Sequence, residues 1–243
     1  MPDTIILAII LFTFISGVVQ ASTGFGFGII SMALLPVVLP VADVAILVPF
    51  VNIPYLIMIV VKKRRHINYD LLAIPTIISV IVTIISFRIM LASDSTVILR
   101  MLGGVLLLLS IYFFWFSEKI RIAANRITAT VAGLIAGVMN GLFNMPGPPM
   151  IMYYIAATKD KDEYIATSQA QFVAIMMARN IYVLLFVGFS PQALSAFPHA
   201  VLGAFLGMLL GYYIFDKMNT SIIKKAVYCI MACCGTWFLL GGG

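Results

Sequence analysis

Apolar residues run along this chain almost without interruption, and the polar ones come in short clusters that divide it. Charge-free stretches cover residues 4–42, 44–61, 71–87, 101–117, 127–158, 164–178, 180–215 and 226–243. A helix needs about 20 apolar residues to cross a bilayer's hydrocarbon core, and its backbone must be paired within the segment, so each stretch predicts membrane helix. Two of them are interrupted, by Gly24-Phe25-Gly26-Phe27-Gly28 and by Asn144-Met145-Pro146-Gly147-Pro148-Pro149. Each half of the chain therefore reads as a broken apolar segment followed by three ordinary spans. These spans run roughly over 44–61, 70–90 and 97–116, then over 164–187, 197–215 and 222–240.

The halves resemble one another. At an offset of about 120 residues, Ile15-Ser16-Gly17-Val18-Val19-Gln20-Ala21 aligns with Ile135-Ala136-Gly137-Val138-Met139-Asn140-Gly141, and each stretch leads into a breaker. Asp43 then matches Glu163, and with a short insertion Arg100 matches Lys225 and Phe113 matches Phe238. The expected organisation is a first membrane repeat over 1–116, a cytoplasmic linker over 117–126 and a second membrane repeat over 127–243.

Loop charge decides how the repeats face. If each broken segment crossed once, Lys159, Lys161, Lys217, Lys224 and Lys225 would lie opposite Lys62, Lys63, Arg64 and Arg65, against the positive-inside tendency. If each goes in and comes back, the second half is inverted and these loop cations share one face. Asp3, Asp43 and Asp94 then lie on the other. The expected fold is an all-α, polytopic membrane bundle of two inverted repeats, each a Gly/Pro-broken helical hairpin plus three transmembrane helices. Arg88 and Arg100 sit near outer span ends, where they either pair with Asp94 or snorkel.

Composition supports the class: 63% of residues are apolar and 10% charged, against roughly a quarter charged in soluble domains. The net charge of +6 lies in short loops between spans, which argues for membrane orientation and against nucleic-acid binding. Cys229, Cys233 and Cys234 share the last apolar run and read as packing or lipid-facing residues. Val19-Gln20-Ala21 vaguely resembles a signal-peptidase site, but no basic region precedes it and the apolar run continues, so it is read as mature sequence.

An interrupted helix in lipid must line protein or a wet cavity, and paired interruptions in inverted halves point to a transporter's midplane site. Half-helices starting near Ile29 and Met150 would aim their positive ends and first amides at that site, which suits an anion. Gly24, Gly26, Gly28, Met145 and Gly147 belong to the breakers. Gln20, Ser22, Thr23, Asn140 and Asn144 adjoin them, as ligand contacts or as interhelical hydrogen-bonding groups. Gly133, Gly137 and Gly141, and Gly203, Gly207 and Gly211, have the four-residue spacing of a smooth helix-packing face.

Arg179 is the most informative side chain, because an ionisable group deep in a span is costly enough to imply function. Ser168, Gln171, Arg179 and Tyr182 fall on one helix face, which is expected to look inward. No carboxylate lies in the central part of any span, so a fixed protein partner is hard to find and substrate contact is favoured. Asn52, in the matching span of the first half, is a further candidate. Asp43, Glu163 and His199 are the remaining titratable groups near span ends. No metalloprotease, nucleophile-elbow or phosphate-loop motif occurs, and with two histidines neither a metal cluster nor a nucleophile–base pair can be assembled. No enzyme activity, cofactor or metal is expected.

The duplicated breaker, with Gly17 to Pro36 in one copy and Gly137 to Tyr153 in the other, together with the basic loop after the next span, resembles the sulfite exporter TauE/SafE family. The resemblance implies a bacterial inner-membrane, multi-pass carrier for sulfite, sulfoacetate or other small organosulfur and carboxylate anions. It places Gly24, Gly26 and Gly28 in the first glycine-rich motif and Asn144 to Pro149 in the second, where Pro-Gly-Pro-Pro stands in place of consecutive glycines. The expected function is a secondary transporter of a small oxyanion, working by alternating access around a midplane site. The alternatives are an anion channel and a non-transporting membrane anchor subunit. The expected partners are the small anion and the lipid bilayer, with homodimer formation left open.

Overall fold

The computed structural model describes residues 1–115, 123–214 and 220–241. Residues 117–122 of the expected linker and Lys217 lie outside the described residues, as does the side chain of Lys224. The elements in order are α1 (Asp3–Thr23), α2 (Phe27–Leu34), α3 (Val41–Lys63), α4 (Tyr69–Ala92), α5 (Ser95–Trp115), α6 (Arg126–Phe143), α7 (Gly147–Ala157), α8 (Lys161–Tyr182), α9 (Pro191–Ile214) and α10 (Thr220–Leu239). Tight 3-10 turns at Leu35–Val37 and Arg64–His66 follow α2 and α3, and a wider π turn at Val183–Val187 extends α8. Among the described residues seven helices are long and apolar enough to cross a bilayer, and the chain is a multi-pass membrane protein.

Both predicted breaks are present. They open at Gly24 and Asn144, and the half-helices begin at Phe27 and Gly147, two and three residues before the positions the sequence suggested. Boundaries repeat with one constant offset: α1 ends at Thr23 and α6 at Phe143, α2 starts at Phe27 and α7 at Gly147, α3 starts at Val41 and α8 at Lys161. With 8 residues α2 is about 12 Å long and with 11 residues α7 is about 16 Å, so neither spans a 30 Å hydrocarbon core alone.

The chain divides into two compact units. One contains α1, α2, α5, α9, α10 and the first half of α3. Its longest contact is α1 along α9, made close by glycine: a methyl on Gly207 would lie 2.0 Å from the Phe14 carbonyl oxygen. Gly203 meets Ile10 and Thr13, and Gly211 meets Val18 and Ala21, so the two helices run parallel. In α5 and α10, Gly103 abuts Gly235 while Ser110 donates to the Tyr228 carbonyl at 2.8 Å, an antiparallel pair. The short α2 folds back on α1, with Ser31 Oγ 3.0 Å from Ser16 Oγ, and buries Phe27, Ile30, Met32 and Ala33 completely.

The other unit contains α4, α6, α7, α8 and the second half of α3. Gly133, Gly137 and Gly141 of α6 press on Pro75, Val82 and Ser86 of α4 in that order, so α6 and α4 are parallel. Along α8, Thr167 accepts from the Asn68 amide, Gln171 reaches Ser79 and Arg179 lies over Phe87. Thus α8 also runs parallel to α4, and α7, packed on α6 and α8, brings the chain back. The starts of α4, α6 and α8 consequently lie at one end of this unit, with Lys62, Lys63, Arg64, Arg65, Arg126, Lys159 and Lys161. There Lys63 pairs with Asp162, and Asn68 Nδ2 donates to Glu163 at 2.7 Å.

Candidate functional site

In the first break Gly24 and Gly26 take left-handed backbone, with φ of 78° and 119°. Glycine tolerates this geometry, and the chain can thereby end one helix and restart another within three residues. Gln20 bridges the gap. Its Nε2 donates to the Gly24 carbonyl at 3.2 Å and its Oε1 accepts from the Phe27 amide at 3.0 Å, so one side chain serves both helix ends. Ser22 and Thr23 donate to the Val18 and Val19 carbonyls of their own helix. Phe25 leans on Phe113, which stacks on Tyr228 with centroids 5.5 Å apart. Gln20 and Thr23, which also bonds Phe25, are therefore engaged in holding the break, while Ser22 is bonded within α1. Gly28 and Ile29 follow in the first turn of α2, where a helix supplies no intrahelical acceptor for its amides.

The second break is built differently. Asn144, with φ of 57°, is the left-handed residue after α6, and its amide donates to the Asn140 carbonyl just as Gly24 bonds the Gln20 carbonyl. Pro148 and Pro149 fall inside the first turn of α7, where a missing N–H costs nothing. That placement explains how Pro-Gly-Pro-Pro starts a helix, and it leaves the first turn of α7 with fewer free amides than that of α2. Met145 and Gly147 are buried in the turn.

Arg179 is fully buried. Its Nη1 donates to the Asn140 carbonyl and to Asn144 Oδ1, and its guanidinium carbon lies 4.0 Å from the centre of the Phe87 ring. The expectation that no fixed protein partner would be found is thus corrected: the arginine caps the C-terminus of α6, where the helix dipole is negative. A carbonyl, a carboxamide and an aromatic face are neutral, however, and these contacts leave its formal charge in place. Asn144 combines two properties here, a tolerance of left-handed backbone and an oxygen for the arginine.

The inward stripe on α8 is largely as read. Ser168, Gln171 and Arg179 are buried, Ser168 donates to the Ile165 carbonyl of its own helix, and Tyr182 is half-buried against Phe87. Asn52, in the same unit, is buried as well. Sequence reasoning missed the partners on α4. Ser79, Thr83 and Phe87 recur every fourth residue, meeting Gln171, Asn140 and Arg179 in turn. A hydroxyl stripe in an otherwise apolar span was the available signal.

The family model for "Sulfite exporter TauE/SafE" matches residues 9–238, nearly the whole chain. This chain belongs to the sulfite exporter TauE/SafE family. A curated member, the "Probable sulfite/organosulfonate exporter TauE" of Cupriavidus necator, is 28% identical over 140 residues. The alignment covers 56% of this TauE/SafE chain and 55% of the relative, about half the length of each. No solved structure matches. Arg179 stands in the second half alone, since the constant offset puts Ile59 at the equivalent place in α3.

Proposed function

We propose that this chain is a secondary carrier of the bacterial inner membrane that moves a small oxyanion, sulfite or an organosulfonate, past Arg179 by alternating access. The observation that carries the proposal is a wholly buried guanidinium held by neutral oxygens. A planar, permanently charged fork of donors suits the oxygens of a sulfonate, sulfite or carboxylate. The family description and the relative's name favour sulfur oxyanions among these. Asn140 and Asn144 hold the arginine directly, and Met145, Gly147, Ser168, Gln171 and Asn52 are further candidate contacts. In the first break, Gly24, Gly26 and Gly28 set the start of α2 and its leading amides.

The two membrane repeats, 1–116 and 127–243, are inverted in this account, each with an in-and-back hairpin. The Lys63–Asp162 pair supports it, because it brings the basic loop of the first half beside the loop before α8 of the second. The matching pairings of α1 with α9 and of α4 with α6, each a repeat's first helix beside the other repeat's fourth, support it too. The test is uptake of labelled sulfite by proteoliposomes containing the purified protein. Saturable flux with counterflow is expected of a carrier. Flux that never saturates would make it a channel, and no flux of any oxyanion, with stable co-purification of a partner, would make it an anchor subunit.

A further inference from the structure

Two buried amide groups, Asn140 on α6 and Gln171 on α8, are oriented by their neighbours, and Asn140 also holds Arg179 through its backbone carbonyl. Ser79 Oγ donates to the Gly133 carbonyl at 2.9 Å, and Thr83 Oγ1 donates to the Gly137 carbonyl at 3.3 Å. Each hydroxyl has one hydrogen, so toward any further group it acts as an acceptor. Gln171 Nε2 lies 3.3 Å from Ser79 Oγ and Asn140 Nδ2 lies 3.4 Å from Thr83 Oγ1, so in both amides the NH2 end is fixed against the hydroxyl. The carbonyl ends, Gln171 Oε1 and Asn140 Oδ1, are turned the other way. Both are buried with no hydrogen-bond partner in the protein, and both side chains are fully inaccessible.

An orphaned buried acceptor is costly, and two on adjacent turns of the α4 face form a feature that a donor would relieve. A bare cation is the wrong donor, because Asn140 also holds Arg179 through its backbone carbonyl and a second positive charge there would be repelled. With the oxyanion proposed above as the substrate, the donor is carried by the anion itself. We infer that the substrate is an oxyanion carrying its own hydrogen-bond donor, such as a hydroxyalkyl sulfonate or a singly protonated oxyacid, with its oxygens toward Arg179 and its O–H donated to one of the two orphaned carbonyls, Asn140 Oδ1 or Gln171 Oε1. The accepting amide is then a specificity residue, and the inference rests on the oxyanion site proposed above. A site built to hydrogen-bond a hydroxyl discriminates strongly against the analogue lacking it, since that analogue leaves the site's polar atoms unpaired.

The test is the affinity of the purified full-length protein for 2-hydroxyethanesulfonate and for ethanesulfonate, which differ by one hydroxyl, measured by calorimetry alongside sulfite. At least tenfold tighter binding of the hydroxylated compound is expected, with the ratio falling toward one in Gln171→Leu or in Asn140→Leu. Equal affinities in the unaltered protein would overturn the inference, identify these amides as sites of bound water only, and leave the oxyanion carrier standing. Binding of neither sulfonate nor sulfite would overturn the carrier proposal itself. Because the ligand pair is compared on the unaltered protein, a variant that failed to fold would not rescue the idea.

Discussion

Lys63 at the end of α3 donates to Asp162 in the first turn of α8, joining a loop of the first half to a loop of the second. The pair is partly exposed, at 29% and 49% of side-chain surface, so solvent screens it and it adds little to stability. Its topological content is larger. Both loops must lie at the same membrane face, and a cysteine placed at either position should be labelled by an impermeant maleimide from the same side of sealed vesicles. With both replaced, oxidation should cross-link them. Labelling from opposite sides would contradict the in-and-back hairpin.

The α1–α9 contact depends on the absence of a side chain at one point. In Gly207→Ala the new methyl meets the Phe14 carbonyl at 2.0 Å, and the helices must separate. Overpacking of this kind costs about 1–3 kcal/mol, and a lowered unfolding midpoint in detergent is expected. Gly104→Ala on α5 serves as the control, since a methyl there meets nothing within 4 Å. Removing a mid-helix glycine should leave it unchanged or stabilise it by about 0.5–1 kcal/mol.

Gln20→Leu removes the side-chain acceptor of the buried Phe27 amide at the start of α2. Unsatisfied groups of this type cost about 1–3 kcal/mol each. Hydrogen exchange should rise at the start of α2, more than at α7. Uniform protection across both breaks would show that Gln20 does not hold the first one.

Asp94 accepts from the Thr96 amide at 2.8 Å and caps α5, with no ion pair to Arg88 or Arg100 among the described residues. The amide and hydroxyl of Thr96, with a smaller contribution from the Val97 amide, hold its carboxyl below the ordinary carboxylate value. Because the folded form binds the proton less readily than the unfolded form, the stabilisation is present above the unfolded-state pKa and disappears as pH falls through the folded one. The melting temperature of Asp94→Asn should accordingly fall below that of the unaltered chain at neutral pH and converge with it in acid. The same gap at every pH would contradict a charge-dependent cap.

Much of this was legible in the sequence because bilayer physics leaves few choices. Length and apolarity located the spans, and glycine and proline located both breaks within a few residues. The four-residue glycine spacing announced close contacts, but not that α9 would meet α1 or that α6 would meet α4, since tertiary pairing is not written in one helix. The sequence also marked Arg179 while concealing its partners. A search for acidic counter-charges could not anticipate a helix C-terminus and an asparagine oxygen, and it passed over Ser79 and Thr83 because hydroxyls in a span usually bond their own backbone.

The most direct test of the account is the affinity of the purified protein for sulfite, compared among the unaltered chain, Arg179→Lys and Arg179→Gln, with the fold of each checked by its unfolding midpoint. Loss of a charge-assisted contact worth about 1.5–3 kcal/mol predicts binding about ten- to a hundredfold weaker in Arg179→Gln, with Arg179→Lys between the two. Equal affinities in three folded proteins would contradict it and leave Arg179 as a cap for α6 alone.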